Sequence, residues 1–185
     1  MMEIPTLTTG DISLRTIDER DIAALFSLFS HEKVVRFMDI EKFVNVSEAV
    51  QLISFFREKL ASGEGMRWAI TINGRNELIG TCGFHHINRT HYKMELGYDL
   101  LPAYWGKGIM TNSIHRLLQY GFEELQMNRI EAYVDPANIN SFRLLQRLGF
   151  EQEGLVREAF FQKGKFVNAF ITSLLQKDYR YDMLF

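Results

Sequence analysis

Trp105-Gly106-Lys107-Gly108-Ile109-Met110-Thr111 stands between a strand-like run, residues 94–101, and a long amphipathic run, residues 109–125. Two glycines one residue apart at a strand-to-helix junction let the backbone approach a ligand with no Cβ in the way. The helix that follows opens with N–H groups that have no partner inside it, a ready site for an anion. A diphosphate suits such a loop. The spacing is neither that of a nucleotide P-loop, GxxxxGK[ST], nor that of the dinucleotide fingerprint GxGxxG, so both readings fall on residue count. A Gly-x-Gly alone is equally compatible with a tight turn that binds nothing, and the rest of the chain has to decide.

Downstream, the amphipathic run carries Met110, Ile114, Leu117, Leu118 and Leu125 toward a core, and residues 129–134 read as a short strand. A shorter helix follows Asn138, with Phe142, Leu145 and Leu148 on one face and Gly149 at its C-terminal end. Residues 154–178 read as two strands joined by Lys163-Gly164-Lys165. Upstream, residues 12–17 alternate as a first strand. Thr16 and Glu19 have capping-box spacing before a helix bearing Ile22, Leu25, Phe26 and Phe29. Residues 31–45 lack periodicity and read as loop. Ser47 is the expected N-cap of a helix with Ala49, Leu52, Ile53, Phe56 and Leu60 at helical spacing, ended by Gly63. Residues 67–72 and 77–86 flank Asn73-Gly74-Arg75-Asn76, a hairpin signal, and residues 88–92 form a polar link.

The chain of 185 residues is long enough for one domain, residues 1–185, with its own core. Apolar residues at 46% and charged residues at 24% match a soluble globular protein, and 15 phenylalanines promise aromatic walls. A net charge of −2 supplies no basic field for direct nucleic-acid binding. No apolar stretch reaches membrane-spanning length and no signal-peptide pattern opens the chain, so a cytoplasmic protein is expected. The single cysteine, Cys82, excludes an internal disulfide. It alternates with Leu78, Gly80 and Phe84 on one strand face and reads as a small buried apolar residue. No spacing of His, Cys, Asp and Glu suggests a metal site.

Four pieces occur in a familiar order: Met94-Glu95-Leu96-Gly97-Tyr98, the Trp105–Thr111 loop, Asn138-x-x-Ser141, and Arg147-Leu148-Gly149-Phe150. The chain resembles the GNAT N-acetyltransferases, and within them the ribosomal-protein alanine and serine acetyltransferase branch (RimJ/RimL type). The resemblance implies a single α/β (α+β) GNAT-type domain. Its mixed, mostly antiparallel sheet is splayed at two central strands, here residues 93–101 and 129–134, and flanked by about four helices. It implies acetyl-CoA as cosubstrate, its pantetheine arm filling the splay like an added strand. The cofactor residues implied are Leu100, Leu101, Trp105, Gly106, Lys107, Gly108, Ile109, Met110, Thr111, Asn138, Ser141 and Arg147, and no metal takes part. A monomer or homodimer is expected. One position departs: the family's loop motif, [QR]-x-x-G-x-[GA], would have Gln or Arg where Ala103 stands. Backbone amides do most of the work in such a loop, so affinity is tuned and not abolished.

Acetyl transfer to an amine needs a neutral nucleophile, a stabilised oxyanion and a leaving thiolate that is protonated or hydrogen-bonded. Glu95 is the expected proton acceptor, acting through water, with a salt-bridged strand carboxylate as the alternative; His85 and His86 are further candidates near the same sheet edge. Ser141 matches the position proposed in the RimL-type branch to bond the leaving sulfur, or else satisfies the helix start. Asn138 is expected to bond the amides of the pantetheine arm, or simply to cap its helix. A tyrosine often serves as acid on this helix in the superfamily. The comparable stretch here has Phe142, which raises Ser141. The acceptor implied is a protein N-terminal α-amine, with a small-molecule amine next and a non-catalytic acyl-CoA sensor as the reading from another class. Residues 31–45 and the strands after Phe150 should flank the acceptor mouth. Asp39, Glu41 and Glu95 are candidates to attract a cationic amine, and Trp68, Phe84 and Phe161 to line its path, with solvated carboxylates and core aromatics as the alternative.

Overall fold

The computed structural model describes residues 4–72 and 74–180; Asn73 of the expected hairpin turn lies outside them. Eight strands form one sheet: β1 (Leu7–Thr9), β2 (Ile12–Thr16), β3 (Met66–Ile72), β4 (Arg75–Asn88), β5 (Lys93–Leu100), β6 (Arg129–Val134), β7 (Glu151–Gln162) and β8 (Lys165–Leu175). Their order is β1-β2-β3-β4-β5-β6-β8-β7. Every neighbouring pair is antiparallel except β5 and β6. Among the described residues, five α-helices flank the sheet: α1 (Ile22–Phe29), α2 (Glu32–Val35), α3 (Val46–Ser62), α4 (Ile109–Gln119) and α5 (Ile139–Arg147).

Strand alternation divides the core into two layers. Trp68, Ile70, Cys82, Phe84, Met94 and Leu96 pack with Ile114 and Leu117 of α4 and Leu145 of α5. Ala69 turns the other way, into a cluster with Leu25 and Leu28 of α1 and Ile53 of α3. Cys82 is fully buried, and burial pushes its thiol up to about 12, so it is the inert small residue expected. Leu78 does not share its face: beyond a register shift of β3 against β4 between Ile70 and Ile72, it packs in the α1–α3 layer. Trp68 and Phe84 are sealed in the α4–α5 layer, at 0% and 2% exposure, so neither lines an acceptor path.

The helix starts differ from those expected: Asp18 and Asn45 take the cap positions read for Thr16 and Ser47. Asp18 and Asp21 form the capping box ahead of α1, with Asp21 Oδ2 accepting from the Asp18 N–H at 3.0 Å, and Thr16 stays in β2. Asn45 precedes α3, and the Glu48 carboxylate takes the N–H groups of Val44 and Asn45 at 2.8 and 2.7 Å, which leaves Ser47 inside the first turn. The loop expected over residues 31–45 contains the single turn α2. The long amphipathic run ends its α-helical ladder at Gln119 and continues as a π turn over Tyr120–Glu124. Among the described residues, no helix is long and apolar enough to cross a membrane.

Candidate active site

β5 and β6 pair in parallel only at Lys93↔Arg129, Met94↔Ile130 and Glu95↔Glu131. Beyond Glu95 they part. β5 runs on with β4 as far as Leu100, and β6 with β8 as far as Val134, so a gap opens in the middle of the sheet. Tyr92 O accepts from Asn128 and Arg129 of the β6 side. Strand alternation carries the backbone groups of Tyr98, six residues on, to that same edge, where β6 is no longer paired with them.

The glycine loop closes the far end of β5. Trp105 Nε1 donates to Leu100 O at 2.8 Å and Leu101 N–H donates to Ile79 O at 3.0 Å, which anchors the loop's entry. Gly106 and Gly108 hold φ of +72° and +74°, and a Cβ built on either would meet nothing within 4 Å. The glycines therefore serve backbone conformation and an open approach, not close packing. The α4 ladder begins with Asn112 N–H bonding Gly108 O. The N–H groups of Ile109, Met110 and Thr111 thus project from the helix end, the arrangement that holds a phosphate. The Ile109 and Met110 side chains are buried, so their contribution there is through backbone alone. Lys107 is exposed, its Nζ 5.4 Å from the centre of the Tyr104 ring.

α5 starts directly after β6, on the α4 side of the gap. Asn138 Oδ1 accepts the Ser141 N–H at 3.3 Å, so its oxygen is the helix cap while its NH2 stays available as a donor. The Ser141 hydroxyl does not take part in the cap. It meets the Tyr98 hydroxyl at 2.6 Å. Burial pushes the Tyr98 phenol up to about 12, so it keeps its proton at neutral pH. Tyr98 thus brings a tyrosine hydroxyl to the start of α5 from a strand and not from the helix. Arg147 lies at the other end of α5, roughly 13 Å along the axis from Asn138 at 1.5 Å per residue. It is exposed, with Nε donating to Arg143 O.

Glu95 occupies the opposite face of β5, toward α3, at the last paired position before the gap. A β-bulge between His85 and Asn88 sets its surroundings. Adjacent strand residues should point to opposite faces. His86 instead adopts φ of +48°, and both imidazoles reach the same carboxylate. His85 Nε2 lies 3.2 Å from Glu95 Oε2, and His86 Nδ1 lies 3.0 Å from Oε1. Burial pushes the Glu95 carboxyl up, but hydrogen bonds from the two imidazoles outweigh it and hold it below the ordinary carboxylate range. The three side chains have ligand atoms within 4.8 Å of one another and could hold a metal ion, a cluster that sequence spacing did not signal. Their mutual hydrogen bonds account for that closeness without one.

Of the other carboxylates near the gap, Asp99, Glu131 and Glu153 have cationic partners, while Asp135 at the end of β6 accepts from the Ala137 N–H at 2.8 Å. Asp99 pairs with Arg67, which also donates to Thr81 Oγ1 at 3.0 Å. Buried Glu131 accepts from Arg129 Nε at 2.6 Å and faces Lys93 Nζ at 3.4 Å, and Glu153 takes the other end of the Arg129 guanidinium. The turn between β7 and β8 reaches across to α2, where Lys163 Nζ donates to Val35 O at 2.6 Å. Phe161 and Phe166 on this hairpin stack edge to face while remaining exposed, and Phe160 meets Tyr133.

The acetyltransferase (GNAT) domain model matches residues 11–151. An uncharacterized N-acetyltransferase of Bacillus licheniformis, p20, is 37% identical over 174 residues, covering 94% of this chain and 98% of the relative. The fold is also that of a spermidine N-acetyltransferase from Vibrio cholerae, solved in complex with CoA and spermine, at 24% identity and TM-score 0.80, over 91% of this chain and 98% of that one. A ribosomal-protein-S5-alanine acetyltransferase from Vibrio fischeri superposes with TM-score 0.81 at 21% identity, over 96% of this chain and all of that one.

Proposed function

The chain belongs to the GNAT acetyltransferase family and is an N-acetyltransferase, and from that premise we propose that its acceptor is a protein N-terminal α-amine of the ribosomal-protein (RimJ/RimL) kind, acetylated in the cytoplasm. The observation that carries the reading is the placement of Glu95 and of the Tyr98–Ser141 pair on opposite faces of β5, at the point where that strand leaves β6. Acetyl-CoA brings an acetyl group already activated as a thioester, so no covalent enzyme intermediate is needed. The residues present fit that donor: projecting N–H groups at α4 for its diphosphate, a free strand edge for its pantetheine, and the Ser141 hydroxyl at the sulfur end.

In this scheme the amine enters from the α3 side, loses a proton to the Glu95–His85–His86 cluster, and attacks the thioester carbon with its lone pair. The carbonyl oxygen gains negative charge and is met by backbone N–H on the β5 edge. The carbon–sulfur bond then breaks toward the α5 side, where the Ser141 hydroxyl, held by Tyr98, hydrogen-bonds the departing thiolate; the second proton of the now cationic nitrogen leaves as the amide forms, and the thiolate takes up one proton from solvent. An α-amine titrates near pH 8 and is already partly neutral at cellular pH, so a weak base suffices.

Charge balance favours one cationic group over several. Asp99, Glu131 and Glu153 are each neutralised by Arg or Lys, and Glu95 has imidazoles as its partners. A polyamine carries several ammonium groups and calls for as many carboxylates. That rival would draw on exposed carboxylates such as Asp39 and Glu41 beyond α2. The test is tandem mass spectrometry on a peptide with a free N-terminal Ala or Ser and an internal Lys. Acetyl on the α-nitrogen is the expected outcome; acetyl confined to the Lys side chain would defeat the assignment.

A further inference from the structure

The geometry points to His85 Nδ1 as the atom that takes the proton from the acceptor amine, with Glu95 as the anchor that fixes the imidazole's tautomer and orientation. The inference rests on acetyl transfer to an amine and is independent of which amine is used. Glu95 is ionised at neutral pH and can only accept hydrogen bonds, so the His85 nitrogen facing it, Nε2 at 3.2 Å, must carry a hydrogen. In the neutral ring the lone pair then sits on Nδ1. That atom lies over Gly97. A Cβ built on Gly97 would meet His85 Cε1 at 3.2 Å and Nδ1 at 3.4 Å, besides Arg67 Nη1 at 2.9 Å. Gly97 is two residues past the last β5–β6 pair, so the basic nitrogen stands at the edge of the gap, whereas the Glu95 carboxylate is turned back toward two N–H donors.

His86 is fixed the other way round. Its Nδ1 faces Glu95 and its Nε2 is the open nitrogen, on a side chain 74% exposed. The groups facing the His85 ring are Arg67 from β3, Glu95 from β5 and His86 beside it, with Glu64 after α3 close enough to be influenced by His86. The proton balance is simple: the amine N–H bond breaks, an Nδ1–H bond forms, and the imidazolium is stabilised by Glu95 as it releases the same proton to solvent after turnover. A carboxylate holding an imidazole in this way is the arrangement that makes a histidine a base and not the reverse. The positive φ at His86 is a strained conformation for a side-chain-bearing residue, retained where it gathers both rings around one carboxylate.

Steady-state CoA release with an amine that turns over, measured from pH 6 to pH 10, tests this with His85→Gln and Glu95→Gln. His85→Gln should lower kcat/KM at pH 7 on the order of a hundredfold, with the defect shrinking as the amine deprotonates by itself and part of the rate returning to His85→Ala with added imidazole. Glu95→Gln, whose amide oxygen can still accept from Nε2, should lose on the order of tenfold and gain nothing from imidazole. A Glu95→Gln defect deeper than that of His85→Gln would overturn the assignment and put the carboxylate on the amine. Nitrogen-15 NMR of the imidazoles provides a readout that needs no acceptor: a His85 ring protonated on Nε2 alone at pH 8 supports the inference, and one protonated on Nδ1 refutes it. Retained CoA affinity in each variant distinguishes a chemical defect from a folding one.

Discussion

Removing the Tyr98 hydroxyl tests whether the strand tyrosine and the helix serine act as one device. Tyr98→Phe deletes only the oxygen that lies 2.6 Å from Ser141 Oγ. The Ser141 hydroxyl then has no partner holding its hydrogen toward the sulfur, and it can rotate back onto helix backbone acceptors. Ser141→Ala removes the hydrogen bond to the developing thiolate outright, a loss of roughly tenfold to a thousandfold in kcat. Loss of positioning alone should cost about tenfold, or ~1.4 kcal/mol in the barrier. If Tyr98 works through Ser141, the double variant should be no slower than Ser141→Ala, a non-additivity of about 1.4 kcal/mol within the usual span for groups in direct contact. The assay is free-thiol release at saturating donor and acceptor, with the CoA dissociation constant measured in parallel and expected to stay within about twofold. Multiplicative losses in the double variant would refute the reasoning, as would a Tyr98→Phe enzyme with unchanged kcat.

Gly106→Val or Gly108→Val should raise the CoA dissociation constant at least tenfold, because both glycines sit at positive φ in open space and a β-branched side chain must rotate the loop amides away. Calorimetry finding unchanged affinity in both folded variants would remove the loop from the diphosphate. Beside the start of β6, hydrogen bonds from Arg129 and Ser173 draw the Glu153 carboxyl down from 4.5 to about 2. A depressed folded-state value means stability present above the unfolded value and lost as pH falls, so Glu153→Gln should flatten the melting temperature between about pH 4.5 and pH 2. An unchanged acid slope would show that this exposed pair adds nothing.

The parts of the site written in local sequence were legible. Gly106 and Gly108 announced a loop at a strand-to-helix junction, Asn138 announced a helix start, and strand β6 occupies residues 129–134 as read. The contacts that give the site its chemistry were not. Tyr98 and Ser141 are 43 positions apart and meet only because β5 and α5 flank the same gap. The bulge at His86 uses a positive φ, uncommon for any side-chain-bearing residue and not marked in the sequence, so alternation alone assigns the two histidines to opposite faces. Phe84 and Trp68 read from sequence as either core or acceptor wall, and their position within central strands settles them in the core. The resemblance carried the family; the acceptor rests on which carboxylates are left without a cationic partner, a matter of three-dimensional pairing.

A single competition measurement reaches the claim that the acceptor is an N-terminal α-amine. CoA release should be followed with three amines at equal concentration: a short peptide with a free N-terminal Ala or Ser, the same peptide N-blocked with an internal Lys, and spermidine. With Asp99, Glu131 and Glu153 each paired with Arg or Lys and Glu95 held by imidazoles, kcat/KM should be highest for the free N-terminus by at least tenfold over both others. Turnover confined to spermidine or to the Lys side chain would contradict the account of the acceptor while leaving the acetyltransferase chemistry in place.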